Sequence, residues 1–202
     1  MSTTSSVRRV AAVFACICVV AVCHAVTESR PRNVRANLAS TLRAVAADGT
    51  VFVTTSTCAY ADFTMNWATH MLQLHLTNFI VIAEDENVYQ FLTNTTDLKG
   101  HVLRSSEFHR PFEAHGAHAF VEYDSKGFSW CSRPHYLLSV VRHGYTAIWI
   151  DSDAVLLRSP MQILPDLYDI VVTEDSDRPQ GTSVPCSCFI VARPRPAKYF
   201  FL

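Results

Sequence analysis

Short runs of apolar, largely β-branched residues recur along the chain, each bounded by polar or turn-forming residues. Thr50-Val51-Phe52-Val53-Thr54-Thr55 follows Asp48-Gly49, Phe79-Ile80-Val81-Ile82-Ala83 runs into Glu84-Asp85-Glu86, and Tyr145-Thr146-Ala147-Ile148-Trp149-Ile150 runs into Asp151-Ser152-Asp153. Unbroken apolar runs of this length predict strands buried on both faces, as in a parallel sheet covered by helices. Between them the spacing changes. From Tyr60 to Leu76 the residues Phe63, Trp67, Met71, Leu74 and Leu76 keep roughly helical spacing, and Asn78 stops the pattern. Ser132-Arg133-Pro134 supplies a cap and a first-turn proline for a second helix, which passes through Leu137, Leu138 and Val141 to a stop at His143-Gly144. Strand, helix, strand is a right-handed crossover unit. The fold class expected is α/β, a parallel or mixed sheet flanked by helices over 49–202. Leu167 to Val172 restarts a strand, His101-Val102-Leu103 is a weak short one, and periodicity is poor between Asn87 and Lys126.

The N-terminus reads as a targeting segment. Arg8-Arg9 precedes an uncharged apolar stretch from Val10 to Val26, and polar residues follow. As a helix that stretch would reach about 25 Å, short of a roughly 30 Å hydrocarbon core. A signal peptide cleaved after Ala25 fits, and so does a type II signal anchor oriented by the arginine pair. Both send the rest of the chain into the secretory pathway, to the Golgi lumen or outside the cell. The Ala-rich segment 27–48 is expected to be a stem or a loosely packed leading helix.

Composition narrows the functional classes. With 17 Lys+Arg against 18 Asp+Glu, a net charge of -1 and 17% charged residues, no polybasic stripe exists for nucleic acid. Apolar residues make up 49% of the chain, enough for a single core without metal or disulfide staples. Asn94-Thr95-Thr96 is an N-glycosylation acceptor. Of the seven cysteines, Cys16, Cys18 and Cys23 lie in the targeting segment and leave Cys58, Cys131, Cys186 and Cys188 for an oxidising lumen. Their pairing stays open, and the isolated Cys58 and Cys131 do not make a zinc site with the C-x-C. His109, His115 and His118 fit no metal-ligand spacing and are expected to be solvated or core histidines.

The chemistry gathers at Asp151-Ser152-Asp153. Ligands of an open α/β sheet bind beyond the C-terminal ends of its strands, where two carboxylates one residue apart converge on a hard cation. A metal bridging Asp153 to a diphosphate would neutralise a leaving nucleotide.

Several stretches together resemble one family: Thr57-Cys58-Ala59-Tyr60 with Asn66-Trp67, Ile80 to Asp85, Arg133 through Gly144-Tyr145, and above all WIDSDAVLLRSP from Trp149 to Pro160. They are similar to the nucleotide-diphospho-sugar transferases of GT-A fold that include plant cell-wall xylosyl- and arabinosyltransferases. The resemblance implies a Rossmann-type sheet, a nucleotide-sugar donor with UDP as its nucleotide, a glycan or glycoprotein acceptor, Mn2+ or Mg2+ as cofactor, and retention of configuration. Residue by residue, it implies that Asp153 binds metal directly and that Asp151 holds the ribose or a metal-bound water, with Ser152 between them. It gives Arg133 a donor-phosphate contact, although a plain helix-start arginine explains that residue nearly as well. Tyr60 would stack on the base, and Asp85 would touch donor or sugar from the same rim. The membrane would be met only through the N-terminal segment.

Two departures bear on activity. Where the family commonly has Asn-x-Gly before an apolar strand, this chain has Cys186-Ser187-Cys188 ahead of Phe189-Ile190-Val191, and its end at Leu202 leads to the expectation of a C-terminally incomplete domain. Two other readings follow. Asp151-x-Asp153 also matches the nucleophile motif of haloacid-dehalogenase-like phosphohydrolases, although that motif normally sits on a first strand. A secreted nucleotide-sugar-binding module without turnover is the non-catalytic alternative.

Overall fold

The computed structural model describes residues 38–95, 97–108, 132–165, 167–174 and 185–194. The targeting segment, Cys131 and the three histidines at 109, 115 and 118 lie outside them. In chain order the elements are α1 (Leu38–Val45), β1 (Thr50–Ser56), α2 (Ala61–Gln73), β2 (Phe79–Ala83), α3 (Glu86–Thr93), β3 (Val102–Arg104), α4 (Ser132–Arg142), β4 (Thr146–Ile150), β5 (Ile170–Glu174) and β6 (Pro185–Ala192). The six strands form one sheet in the order β3-β2-β1-β4-β6-β5.

The unbroken apolar strands sit in the middle, as their composition requires. β1 and β2 are buried along their whole length, and β1 pairs in parallel with β2 on one side and β4 on the other. Alternate residues of each strand face opposite sides of the sheet. Phe52, Phe79, Val81, Ile148 and Ile150 meet Trp67 and Met71 of α2 and Val88 and Leu92 of α3, while Val51, Val53, Ile80, Ile82 and Trp149 meet Leu42 of α1 and Leu137 and Val140 of α4. The sheet is mixed, because β6 runs antiparallel to both β4 and β5. β5 at the edge is largely exposed.

The α/β reading therefore holds, with differences that have physical causes. Part of the segment expected to be a stem or a loosely packed leading helix is α1, and it is well packed: Leu42 is fully buried against the sheet, so the packed body reaches back at least to Leu38. Leu38, Thr41 and Leu42 carry its inward face, at helical spacing but over only eight residues of an Ala-rich stretch. Helix α2 ends at Gln73, before Leu74 and Leu76, and Phe63 lies 47% exposed; Ala61, Thr64, Trp67, Ala68 and Met71 form the buried stripe instead. Helix α3 buries Val88, Tyr89 and Leu92, a helical spacing too brief over eight residues to give more than weak periodicity, and Asp85 caps its start by accepting from Val88 N–H. Gly144 closes α4 at φ +88, a left-handed conformation that glycine adopts without the penalty a side chain brings. Among the described residues, no helix is long and apolar enough to cross a membrane.

Candidate functional site

Parallel pairing of β2, β1 and β4 brings their C-terminal ends to one rim. Ser56-Thr57, Glu84-Asp85 and Asp151-Ser152-Asp153 are therefore neighbours in space although far apart in sequence. The D-x-D leaves β4 in a tight turn, with Ala154 N–H donating to Asp151 C=O at 3.0 Å. Asp151 N–H donates in turn to the Cys188 carbonyl on β6 at 3.1 Å, which pins the turn to the antiparallel neighbour. Ser152 is buried at 8% exposure, so it serves the turn from within, whereas Asp153 is exposed.

The two carboxylates occupy unlike environments. Asp151 Oδ1 accepts from Trp149 Nε1 at 2.7 Å and faces Arg133 Nη2 at 3.1 Å. The Arg133 and Asp151 side chains are only 12% and 21% exposed, so this is a largely desolvated ion pair. Burial pushes the Asp151 carboxyl above its ordinary value; the Trp149 hydrogen bond and the Arg133 charge pull the other way, and the neighbouring Asp153 charge adds to the rise. Asp153 has no hydrogen bond or ion pair to any described residue.

Arg133 does more than open a helix. Its guanidinium stands 5.3 Å from the centre of the Trp149 ring, and its Nη1 donates to Ser187 Oγ at 2.7 Å and to the Ser187 carbonyl at 3.2 Å. One arginine thus joins α4, the end of β4 and the start of β6. Ser187 and Trp149 did not figure among the expected site residues; Trp149 looked like plain strand core, and nothing local to Ser187 announces an arginine so distant in sequence. Cys186 and Cys188, which flank Ser187, are disulfide-bonded to each other, and Cys58 is a free thiol.

On the β1–β2 side Asp85 acts as a bracket. Its Oδ2 accepts from Cys58 N–H and its Oδ1 from Val88 N–H, both at 2.8 Å, so it ties the loop after β1 to the first turn of α3. The contact with donor or sugar expected of Asp85 would have to share these oxygens. Glu84 N–H donates to Ser56 C=O at 2.9 Å, and Glu84 Oε1 accepts from Tyr136 Oη at 2.8 Å, a link from rim to α4 that the sequence pattern did not suggest. Tyr60 is half-buried at the start of α2, with its ring centroid 5.8 Å from that of Phe63. Nearby, Thr57 is buried at 3% exposure, and its hydroxyl has no hydrogen-bond partner among the described residues. Asn94 lies away from the rim, exposed at the C-terminus of α3.

The family model for nucleotide-diphospho-sugar transferases matches residues 74–202 of this chain. The chain belongs to that family. Among its relatives is UDP-D-xylose:L-fucose alpha-1,3-D-xylosyltransferase MGP4 of Arabidopsis thaliana, 29% identical over 174 residues that cover 78% of this chain and 46% of the relative. Another is the Arabidopsis thaliana arabinosyltransferase XEG113, 29% identical over 137 residues that cover 65% of this chain and 19% of the relative. The chain therefore spans less than half the length of these curated relatives. The crystal structure of galactosyltransferase LgtC in complex with donor and acceptor sugar analogs overlaps it at 13% identity with a TM-score of 0.44, covering 74% of this chain and 59% of that one.

Membership in this family displaces the phosphohydrolase alternative. The geometry agrees with that outcome: the motif follows the fourth strand among the described residues, and Asp151, which would have to attack phosphorus, has one oxygen already taken by an indole N–H and a guanidinium.

Proposed function

We propose that this chain carries the donor site of a glycosyltransferase that moves a sugar from a nucleotide sugar, with UDP as the nucleotide, to a hydroxyl of a glycan or glycoprotein. The observation that carries the proposal is the D-x-D at the end of a central strand, with its first carboxylate held by Arg133 and Trp149 and its second exposed. The donor set suits a hard cation. Among the described residues no group of three or more His, Cys, Asp or Glu side chains stands ready to cage a metal. Mg2+ and similar ions are content with one or two carboxylates when substrate phosphates and water complete the shell. Asp153 would hold Mn2+ or Mg2+ directly, and Asp151 would offer its second oxygen to a metal-bound water or to the ribose. When bound, the cation would supply positive charge against the diphosphate as it leaves the sugar.

The chain's own residues then divide the remaining work. Arg133 fixes the rotamer of Asp151 and adds a cationic charge beside the rim, on the side where the leaving diphosphate would develop negative charge. Tyr60 offers a half-buried ring to the base, and Asp85 holds the loop that positions that ring. With no general base required, the acceptor hydroxyl would approach the face the diphosphate leaves, and configuration would be retained. The targeting segment places the reaction in the secretory pathway, in the Golgi lumen or outside the cell, with membrane contact only through that segment and with no nucleic-acid partner.

The test is calorimetric titration of UDP into the protein with and without manganese, beside Asp153→Ala, with circular dichroism to confirm folding. Manganese-dependent binding that the variant loses supports the site. Folded wild-type protein that binds no UDP overturns it, and binding without turnover on any donor sugar leaves the binding-module reading in its place.

A further inference from the structure

The Cys186-Ser187-Cys188 segment is built as a bent arm, not as ordinary strand. Val172 of β5 pairs with Ile190, yet the next residue, Thr173, pairs with Cys186, so Ser187, Cys188 and Phe189 are extra residues on that side of β6. Bulges of this kind bend a strand and re-aim a side chain, often beside an active site. Regular strand would separate residues i and i+2 by about 6.6 Å, whereas the Cα atoms of Cys186 and Cys188 are 5.4 Å apart across their disulfide. The bond holds the strand in a pinch. At its apex Ser187 accepts from Arg133 Nη1 with both its hydroxyl and its carbonyl oxygen, and on its far side the Cys188 carbonyl accepts from the Asp151 N–H. Thr173 Oγ1 lies 3.4 Å from Cys188 Sγ and seats the pinch against the edge strand.

We propose that Ser187 is a positioning residue for the D-x-D, and that the Cys186–Cys188 disulfide keeps it in place, so that nucleotide binding depends on the oxidation state of this pair. The inference rests on the donor-site reading above. Two ties run from the pinched segment to Asp151: one through the Arg133 guanidinium to the carboxylate, one direct to the backbone. A dithiol that reduces the pair passes two electrons and two protons to it, leaves two thiols, and closes its own disulfide. The freed segment can then extend toward normal strand spacing, which draws Ser187 off Arg133. Arg133 would remain opposite Asp151 but without the Ser187 contacts.

Four forms decide the matter: oxidised wild type, dithiothreitol-reduced wild type, Ser187→Ala and Ser187→Thr, with alkylation and mass mapping to confirm the state of Cys186 and Cys188. UDP affinity in the presence of manganese is measured for each, together with amide hydrogen exchange at Asp151 and the melting temperature. Ser187→Ala is expected to weaken UDP roughly three- to tenfold, the size of one ordinary hydrogen bond, since the guanidinium keeps its contact with Asp151, with a melting temperature lowered by no more than a few degrees, and Ser187→Thr to restore affinity. Reduction is expected to weaken UDP at least as much and to speed exchange at Asp151. Wild-type affinity in both the alanine variant and the reduced protein overturns the proposal, as does unchanged exchange at Asp151 after confirmed reduction. If oxidised wild type binds no UDP at all, the donor-site reading falls, and faster exchange on reduction still shows that the disulfide holds the turn.

Discussion

Replacing Arg133 by methionine removes the cation from a pair that has little water around it and leaves the hydrocarbon stem roughly in place. At 3.1 Å the Arg133–Asp151 attraction is about 5 kcal/mol with an effective dielectric of about 20, and desolvation of the two ions offsets part of it. Stripping one partner from a fully buried pair costs about 3–5 kcal/mol because the survivor stays charged without compensation. Here the side chains keep 12% and 21% exposure, and Asp151 retains the Trp149 hydrogen bond, so the expected loss is about 2–3 kcal/mol at neutral pH. Its pH dependence separates this cause from simple loss of packing. Burial already raises the Asp151 carboxyl and Arg133 lowers it, so the variant raises it further. A group with a raised folded-state value binds its proton more readily when folded, and its contribution to stability is full below the unfolded value and lost as pH rises through the folded one. The penalty in Arg133→Met should therefore shrink as pH falls from neutral toward the carboxylate range, where Asp151 becomes neutral and no longer needs a partner. Urea unfolding of both proteins, with chelator present, measures this. A penalty below about 0.5 kcal/mol, or one that does not change between neutral and mildly acidic pH, would refute the electrostatic account.

Three further outcomes test other parts of the structure. Leu42→Ala should cost about 3 kcal/mol by chemical denaturation, since Leu42 is fully buried on α1; a neutral result would return that segment to the stem. Asp85→Ala removes the carboxylate that accepts from two backbone N–H groups and should cost about 1–2 kcal/mol, with faster amide exchange at Cys58 and Val88 as the local signature. Asn94, exposed at the end of α3, should carry a glycan when the chain is made in a secretory host, so Asn94→Gln should migrate faster on a gel and lose its response to endoglycosidase.

The central sheet was legible because fully buried strands leave an unbroken apolar record, and β1, β2 and β4 begin and end within a residue or so of their apolar runs. The edges were not. β5 and β6 are half-exposed and pair antiparallel through a bulge, so their direction depends on neighbours that local pattern does not name. Helix α1 packs through Leu38, Thr41 and Leu42, a helical spacing that spans only eight residues and is easily lost in an alanine-rich segment. The candidate site divides in the same way. Asp151 and Asp153 were marked by a strand end, whereas the contacts of Arg133 with Ser187 and of Tyr136 with Glu84 join residues brought together only by the crossover topology. Asp85 shows both halves at once: its cap on α3 is a three-residue local signal, but its hold on Cys58 is tertiary.

The unequal setting of the two aspartates can be tested without substrate. Asp153 is exposed and has no hydrogen bond or ion pair among the described residues, so Asp153→Asn should leave stability at neutral pH within about 0.5 kcal/mol of wild type. It also deletes a negative charge that raises the Asp151 carboxyl, so Asp151 should stay ionised to lower pH. Asp151→Asn differs, since the amide oxygen can still accept from Trp149, but Arg133 loses the Asp151 charge. Removing one partner leaves the guanidinium, only 12% exposed, charged without the Asp151 carboxylate, so a loss of about 2–3 kcal/mol is expected at neutral pH, and because arginine does not titrate in this range that loss should not shrink on acidification as it does in Arg133→Met. The distinguishing result is the carbon-13 shift of the Asp151 carboxyl followed through an acid titration of metal-free protein. Its midpoint should lie above that of an exposed aspartate in wild type and move down in Asp153→Asn. An unmoved midpoint would mean that the carboxylates do not sense each other, and the case for one cation between them would fail with it.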